Sequence, residues 1–151
     1  LTKRKLIPAL CHLAAQGYLS KEFAVVGVDL VGLSTEDFRR ELGDELHRFV
    51  AEPVDPGLWY ELAQRIYYVQ GDFVDPRTYE RLHDQLAQVD KTHETHGNYL
   101  YYLATAPSFF AEIVQRLCAN GLTTQRDGRW RRVVIEKPFG RDLASARALN
   151  H

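Results

Sequence analysis

Apolar residues recur along this chain in two alternating rhythms. Leu6, Ile7, Leu10, Leu13 and Ala14 fall at helical spacing until Gly17 stops the pattern. Residues 23–28, Phe-Ala-Val-Val-Gly-Val, form a short continuous apolar run, the pattern of a strand buried on both faces of a parallel sheet. Ser34, followed by Glu36 and Asp37, marks a helix start: the hydroxyl can cap free N–H groups and the acids suit the positive helix end. That helix, or a pair broken near Pro53 and Pro56, runs towards Gln64. Residues 65–70 predict the next strand, Gly71 and Asp75-Pro76 punctuate, and Tyr79, Leu82, Leu86 and Val89 mark one face of a helix over 77–90. A polar loop at 91–97 leads to a strand at 98–104, closed by Thr105-Ala106-Pro107. Phe109, Phe110, Ile113, Val114 and Leu117 then mark a helix ending near Gly121. A strand follows at 130–135, and residues 142–150 begin another helix.

Strands alternating with amphipathic helices imply a parallel sheet with right-handed crossovers. With 151 residues and no repeat, low-complexity stretch or internal linker, residues 1–151 read as one domain with its own core. The chain opens inside a helix and contains no methionine, so we expect a piece of a longer protein. The expected fold class is α/β: a Rossmann-like doubly wound parallel sheet, with its first strand and glycine loop missing from this chain. The lost strand would be the central one, beside the switch point where dinucleotides bind.

Composition narrows the partners. A formal net charge of -1 gives no global basic field for nucleic acid. No apolar run approaches the length of a membrane span, and nothing resembles a signal peptide. Cys11 and Cys118 sit in apolar helical patterns and are expected to be buried free thiols, which fits a cytoplasmic protein. His93-Glu94-Thr95-His96 lacks a third ligand at a recognisable spacing, so no metal is expected. Asp127, Arg129, Arg131 and Arg132 read as a solvated approach to the last strand.

Three places carry candidate chemistry. Lys3, Arg4 and Lys5 oppose the dipole of the first helix. An anion such as a dinucleotide pyrophosphate at that terminus would relieve the misfit, and a solvated basic turn is the plainer reading. Asp29 follows the first visible strand. In dinucleotide-binding folds an acid there hydrogen-bonds the adenosine ribose and repels a 2′-phosphate, whereas a nearby arginine accepts that phosphate. Asp29 could equally cap a turn. Lys137 would place a cation at the end of the fourth strand.

Glu136-Lys137-Pro138-Phe139-Gly140-Arg141-Asp142-Leu143 resembles a motif specific to the glucose-6-phosphate dehydrogenase family. The opening stretch is similar to the run that follows the glycine-rich loop of that family. Leu1, Lys3, Arg4, Lys5, Leu6 and Pro8 match, with Thr2 in place of the usual alanine. Leu103 to Ser108 resembles the family's Y-L-A-x-P-P turn, with Ala106 replacing the first proline. Phe110 stands where some members carry a tyrosine near the coenzyme, and core packing is its other reading. Gly71-Asp72-Phe73 matches as well. Ser34 to Arg39 fits S/T-x-x-x-F-R without a gap, so Asp29 falls on the family's small residue and Leu30 on its arginine.

The resemblance implies a coenzyme set of Leu1, Thr2, Lys3, Asp29, Leu30, Ala104, Phe110 and Lys137, with Lys137 also contacting the sugar. It implies hydride transfer from C1 of β-D-glucose 6-phosphate to NADP or NAD, giving 6-phosphogluconolactone, the entry to the pentose phosphate pathway. Asp29-Leu30 argues for NAD use or dual specificity. The family's base is a histidine in a later R-I-D-H-Y-L-G-K-E motif. No catalytic residue is therefore expected in this chain, which alone should be inert. The family's carboxy-terminal α+β substrate and dimerisation domain is expected to lie outside this chain, and the full-length protein is expected to be a homodimer or homotetramer. Two rival readings remain: an oxidoreductase of the glucose–fructose type, and a non-catalytic nucleotide-binding module.

Overall fold

A computed structural model describes residues 5–49 and 54–135. In chain order the elements are α1 (Ile7–Ala15), β1 (Val25–Asp29), α2 (Thr35–Phe49), α3 (Pro56–Ala63), β2 (Ile66–Gln70), α4 (Pro76–His93), β3 (Tyr99–Leu103), a 3-10 turn (Pro107–Phe109), α5 (Phe110–Ala119) and β4 (Arg131–Ile135). The predicted helix at 142–150 lies outside the described residues.

Local chemistry accounts for most boundaries. Ser34 Oγ accepts the Asp37 N–H at 3.0 Å at the start of α2. Asp55 does the same for Leu58 at 2.8 Å, and Pro56 behind it opens α3. The expected ambiguity thus resolves into two helices, the second opening at Pro56; Pro53 lies outside the described residues. Gly17 and Gly121 take positive φ just beyond α1 and α5, where helices end by turning left-handed. One expectation is corrected at α4. Lys91, Thr92 and His93 extend the helix rather than open the loop, which begins where Glu94 adopts φ 52°.

β1 pairs with β2 in parallel, from Val25 opposite Ile66 to Asp29 opposite Gln70. β3 pairs with β4 in the same sense, from Tyr99 opposite Arg131 to Leu103 opposite Ile135. Successive β1 side chains enter different cores. Val25 packs with Ile7 and Cys11 of α1, Leu42 and Leu46 of α2, Leu62 of α3 and Ile66. Val26 and Val28 pack on the other side with Tyr79 and Leu82 of α4, Leu103, and Phe110, Ile113 and Leu117 of α5. This period-two alternation puts helices on both faces, the doubly wound arrangement. Among the described residues no helix is long and apolar enough to cross a membrane.

Two surface expectations are corrected. Cys118 is exposed, because it lies on the face of α5 turned from the core; its sulfur accepts the Thr123 hydroxyl at 3.2 Å. Cys11 is buried as expected, and burial pushes its thiol pKa up. Arg131 is not simply solvated. Its guanidinium lies 3.9 Å over the Tyr99 ring and donates to the Gly97 carbonyl, while Arg132 lies over Trp130.

Candidate functional site

Parallel strands joined by helical crossovers bring their carboxyl ends to one edge of the sheet, and ligands of such folds bind there. The segments at that edge follow Asp29, Gln70 and Leu103.

The turn after β1 is held by the strand beside it. The Asp29 carbonyl accepts the Gly71 N–H at 2.8 Å and the Tyr68 hydroxyl at 3.2 Å. The same hydroxyl donates to the Val31 carbonyl at 2.5 Å. Burial, followed by the nearby charges of Asp29 and Glu41, pushes the Tyr68 pKa up, so it stays a donor. Gln70 Nε2 donates to the Leu30 carbonyl at 3.4 Å. The Asp29 carboxylate is exposed, and its Oδ1 accepts the Leu30 N–H at 2.7 Å. The residue therefore does cap its own turn, while its carboxylate stays at the surface. Leu30 is 58% exposed, an apolar side chain held out into solvent at the strand end.

The turn after β2 is packed tightly. A Cβ on Gly71 would lie 2.3 Å from Thr78 Cγ2, and Thr78 is 1% exposed, so only glycine fits. Arg81 donates to the Gln70 carbonyl at 3.1 Å and to Thr78 Oγ1 at 3.3 Å. An open cavity of about 750 Å³ lies here, lined by residues that include Leu30, Gln70, Asp72, Arg81 and Asp84. Its charges are two carboxylates and one guanidinium, and the guanidinium already donates to the backbone.

The turn after β3 carries the small residues expected of it. Ala104 is exposed at the strand end. Thr105 follows, with its Oγ1 buried and without a hydrogen-bond partner. Phe110 is 2% exposed at the centre of the α4–α5 core, so its ring has packing partners and no surface to offer a coenzyme. Leu1, Thr2, Lys3, Glu136 and Lys137 lie outside the described residues.

Asp29, Leu30 and Ala104 thus lie exposed at the carboxyl ends of their strands, whereas the Phe110 ring is buried. Sequence reasoning missed Tyr68, Gln70, Arg81 and Thr105. The first three act through bonds to backbone carbonyls, which no side-chain pattern announces.

The comparisons with known proteins bear on the whole chain. The family described as "Glucose-6-phosphate dehydrogenase, NAD binding domain" matches residues 1–151. The chain belongs to the glucose-6-phosphate dehydrogenase family. The glucose-6-phosphate 1-dehydrogenase of Chlamydia pneumoniae is 42% identical over 152 residues, covering 99% of this chain and 30% of that protein. The glucose-6-phosphate 1-dehydrogenase of Bacillus subtilis is 38% identical, over 99% of this chain and 29% of its own length. The crystal structure of the Mycobacterium avium glucose-6-phosphate 1-dehydrogenase superimposes with a TM-score of 0.82 at 29% identity, over 99% of this chain and 30% of that one. A glucose-6-phosphate dehydrogenase solved in complex with glucose 6-phosphate gives the same TM-score and coverage. The chain therefore spans about 30% of the length of these relatives and matches the family's NAD-binding domain along its whole length.

Proposed function

We propose that the protein to which this chain contributes oxidises glucose 6-phosphate at C1, and that this domain holds the nicotinamide dinucleotide. The observation that carries the reading is the match of the whole chain to the family's NAD-binding domain. In the reaction the 1-hydroxyl gives its proton to a base, and C1 gives hydride to the nicotinamide. The base is proposed to be a histidine outside residues 1–151, in the family's second domain. Lys137 is proposed to orient the sugar hydroxyl and the coenzyme, with Leu1, Thr2 and Lys3 beside the pyrophosphate. We place the protein in the cytoplasm as a homodimer or homotetramer.

We further propose that the coenzyme is NAD, or that NAD and NADP are both used. Three features support this. The Asp29 carboxylate stands exposed at the end of β1. Leu30 occupies the family's arginine position. Asp72 and Asp84 line the adjoining cavity against Arg81. A 2′-phosphate would meet two acids there, against a single guanidinium, Arg81, that already donates to the Gln70 carbonyl. Steady-state kinetics of the complete protein with both coenzymes tests this, together with Leu30→Arg. A charge-assisted hydrogen bond is worth roughly 1.5–3 kcal/mol, so the variant should raise kcat/KM for NADP roughly 10–100-fold. A native preference for NADP, or no gain in the variant, would overturn the assignment.

A further inference from the structure

Among the described residues two buried side-chain atoms lack a hydrogen-bond partner, Arg131 Nε and Thr105 Oγ1. The arginine is compensated. Its guanidinium stacks on Tyr99, and Nη1 donates to the Gly97 carbonyl and, at 3.0 Å, to the Trp130 carbonyl. Thr105 has no such relief. A threonine hydroxyl leaving a strand commonly accepts the N–H two residues on, closing a small local turn. Here that residue is Pro107, which has no N–H. The turn that follows is capped by backbone alone: Phe109 N–H donates to the Ala106 carbonyl at 3.0 Å. A desolvated hydroxyl left unpaired carries a standing cost, and valine, of nearly the same shape, would avoid it.

The position gives that cost a use. Thr105 lies at the carboxyl end of β3, flanked by Ala104 and Ala106, whose small side chains let a ligand approach the backbone. In a doubly wound sheet the first half, ending here at β1 and β2, takes the adenosine side of a dinucleotide. The second half, beginning at β3, takes the other side. We infer that the Thr105 hydroxyl is a coenzyme-positioning group that pairs with an uncharged hydrogen-bonding group on the nicotinamide half of the dinucleotide. This rests on the coenzyme reading above.

The test compares Thr105→Val, which removes the hydroxyl and keeps the shape, with Thr105→Ser, which keeps the hydroxyl. Both are made in the complete protein. Dissociation constants are measured for NAD and for AMP, which carries only the adenosine half. Thr105→Val should weaken NAD roughly 3- to 10-fold, the range expected of a single neutral hydrogen bond. It should leave AMP unchanged and melt, without ligand, no lower than the native protein. Thr105→Ser should bind NAD like the native protein. Unchanged NAD affinity in Thr105→Val overturns the inference and leaves the coenzyme reading standing. Equal losses in the two variants, or a matching loss for AMP, overturn it as well. A native protein that binds neither NAD nor NADP overturns the coenzyme reading and this inference with it.

Discussion

The imidazole of His93 lies between two groups that settle its protonation. Arg65 Nη1 approaches Nδ1 at 3.2 Å, and a guanidinium can only donate, so Nδ1 must carry a lone pair. The ring proton then sits on Nε2, 2.8 Å from the Tyr67 hydroxyl. The same Arg65 atom donates to the Lys21 carbonyl at 2.6 Å, so one neutral imidazole helps tie the end of α4 to β2 and to the segment before β1. Protonation would place N–H against N–H. The other groups nearby do not offset this: Arg39 stacks on Tyr67, and the Asp90 carboxylate is taken by Thr95, Gly97 and Tyr99. Burial first, then the charges of Arg65 and Arg39, hold the His93 pKa below its ordinary value of 6.5. The sign follows from linkage. Near and below that value the unfolded chain binds a proton that the folded chain refuses, so stability falls as pH falls. The contribution is fully present above about pH 7.5 and declines through the window from about pH 6.5 down to the lowered folded pKa. Denaturant midpoints of the native protein should drop more steeply across this window than those of His93→Gln, whose amide can accept from Arg65 and donate to Tyr67. Parallel profiles would refute the assignment. None of this was legible in the run Lys91-Thr92-His93, because the partners are more than twenty residues away and act through tautomer and distance.

Within elements, the legible features were those whose cause is local. Ser34 announces α2 because a hydroxyl satisfies an N–H three residues on. Asp75-Pro76 announces α4, whose Asp75 side chain accepts the Arg77 N–H at 3.0 Å. What the pattern could not show is how the outer edge of β2 is closed. Thr35 Oγ1 accepts the Tyr68 N–H at 3.2 Å, Arg39 Nε donates to the Ile66 carbonyl at 2.8 Å, and Arg81 donates to the Gln70 carbonyl. Side chains thus occupy that edge, one of the ways proteins blunt an unpaired strand. The β2–α4 junction depends equally on a non-local fit. Gly71 has an ordinary backbone conformation, so its requirement is steric: Thr78 fills the space a Cβ would need. Gly71→Ala should therefore destabilise the protein by about 1–3 kcal/mol, the cost of overpacking a tight site. Thr78→Ala in the same chain should recover part of that loss. Denaturant melts of the two single variants and the double variant measure the coupling, and strictly additive effects would show that the contact is not the cause.

For the molecule as a whole, the described strands form two parallel pairs, β1–β2 and β3–β4, rather than one sheet. Two-stranded units are marginal in water, yet one core already joins both pairs, since Val26 and Val28 of β1 share it with Leu103 of β3 and Ile135 of β4. The sequence order implied a doubly wound sheet, and both faces are covered as that fold requires. The register shows what the order could not, namely which edges remain. The Val25 N–H donates to the Arg65 carbonyl on the β2 side, and the Asp29 carbonyl accepts the Gly71 N–H there. By the period of two, the backbone groups of Val26 and Val28 point the opposite way, away from β2. We propose that a strand outside the described residues lies between β1 and β3, parallel to both, and merges the pairs into the continuous sheet a dinucleotide site needs. Its side chains would then join Val26 and Val28 in the shared core. In the complete protein the Val26 and Val28 amides should exchange with solvent as slowly as those of Val25 and Gly27, which face β2. Rapid exchange confined to Val26 and Val28 would mean that no strand occupies that space, and the coenzyme site would then have to be built without it.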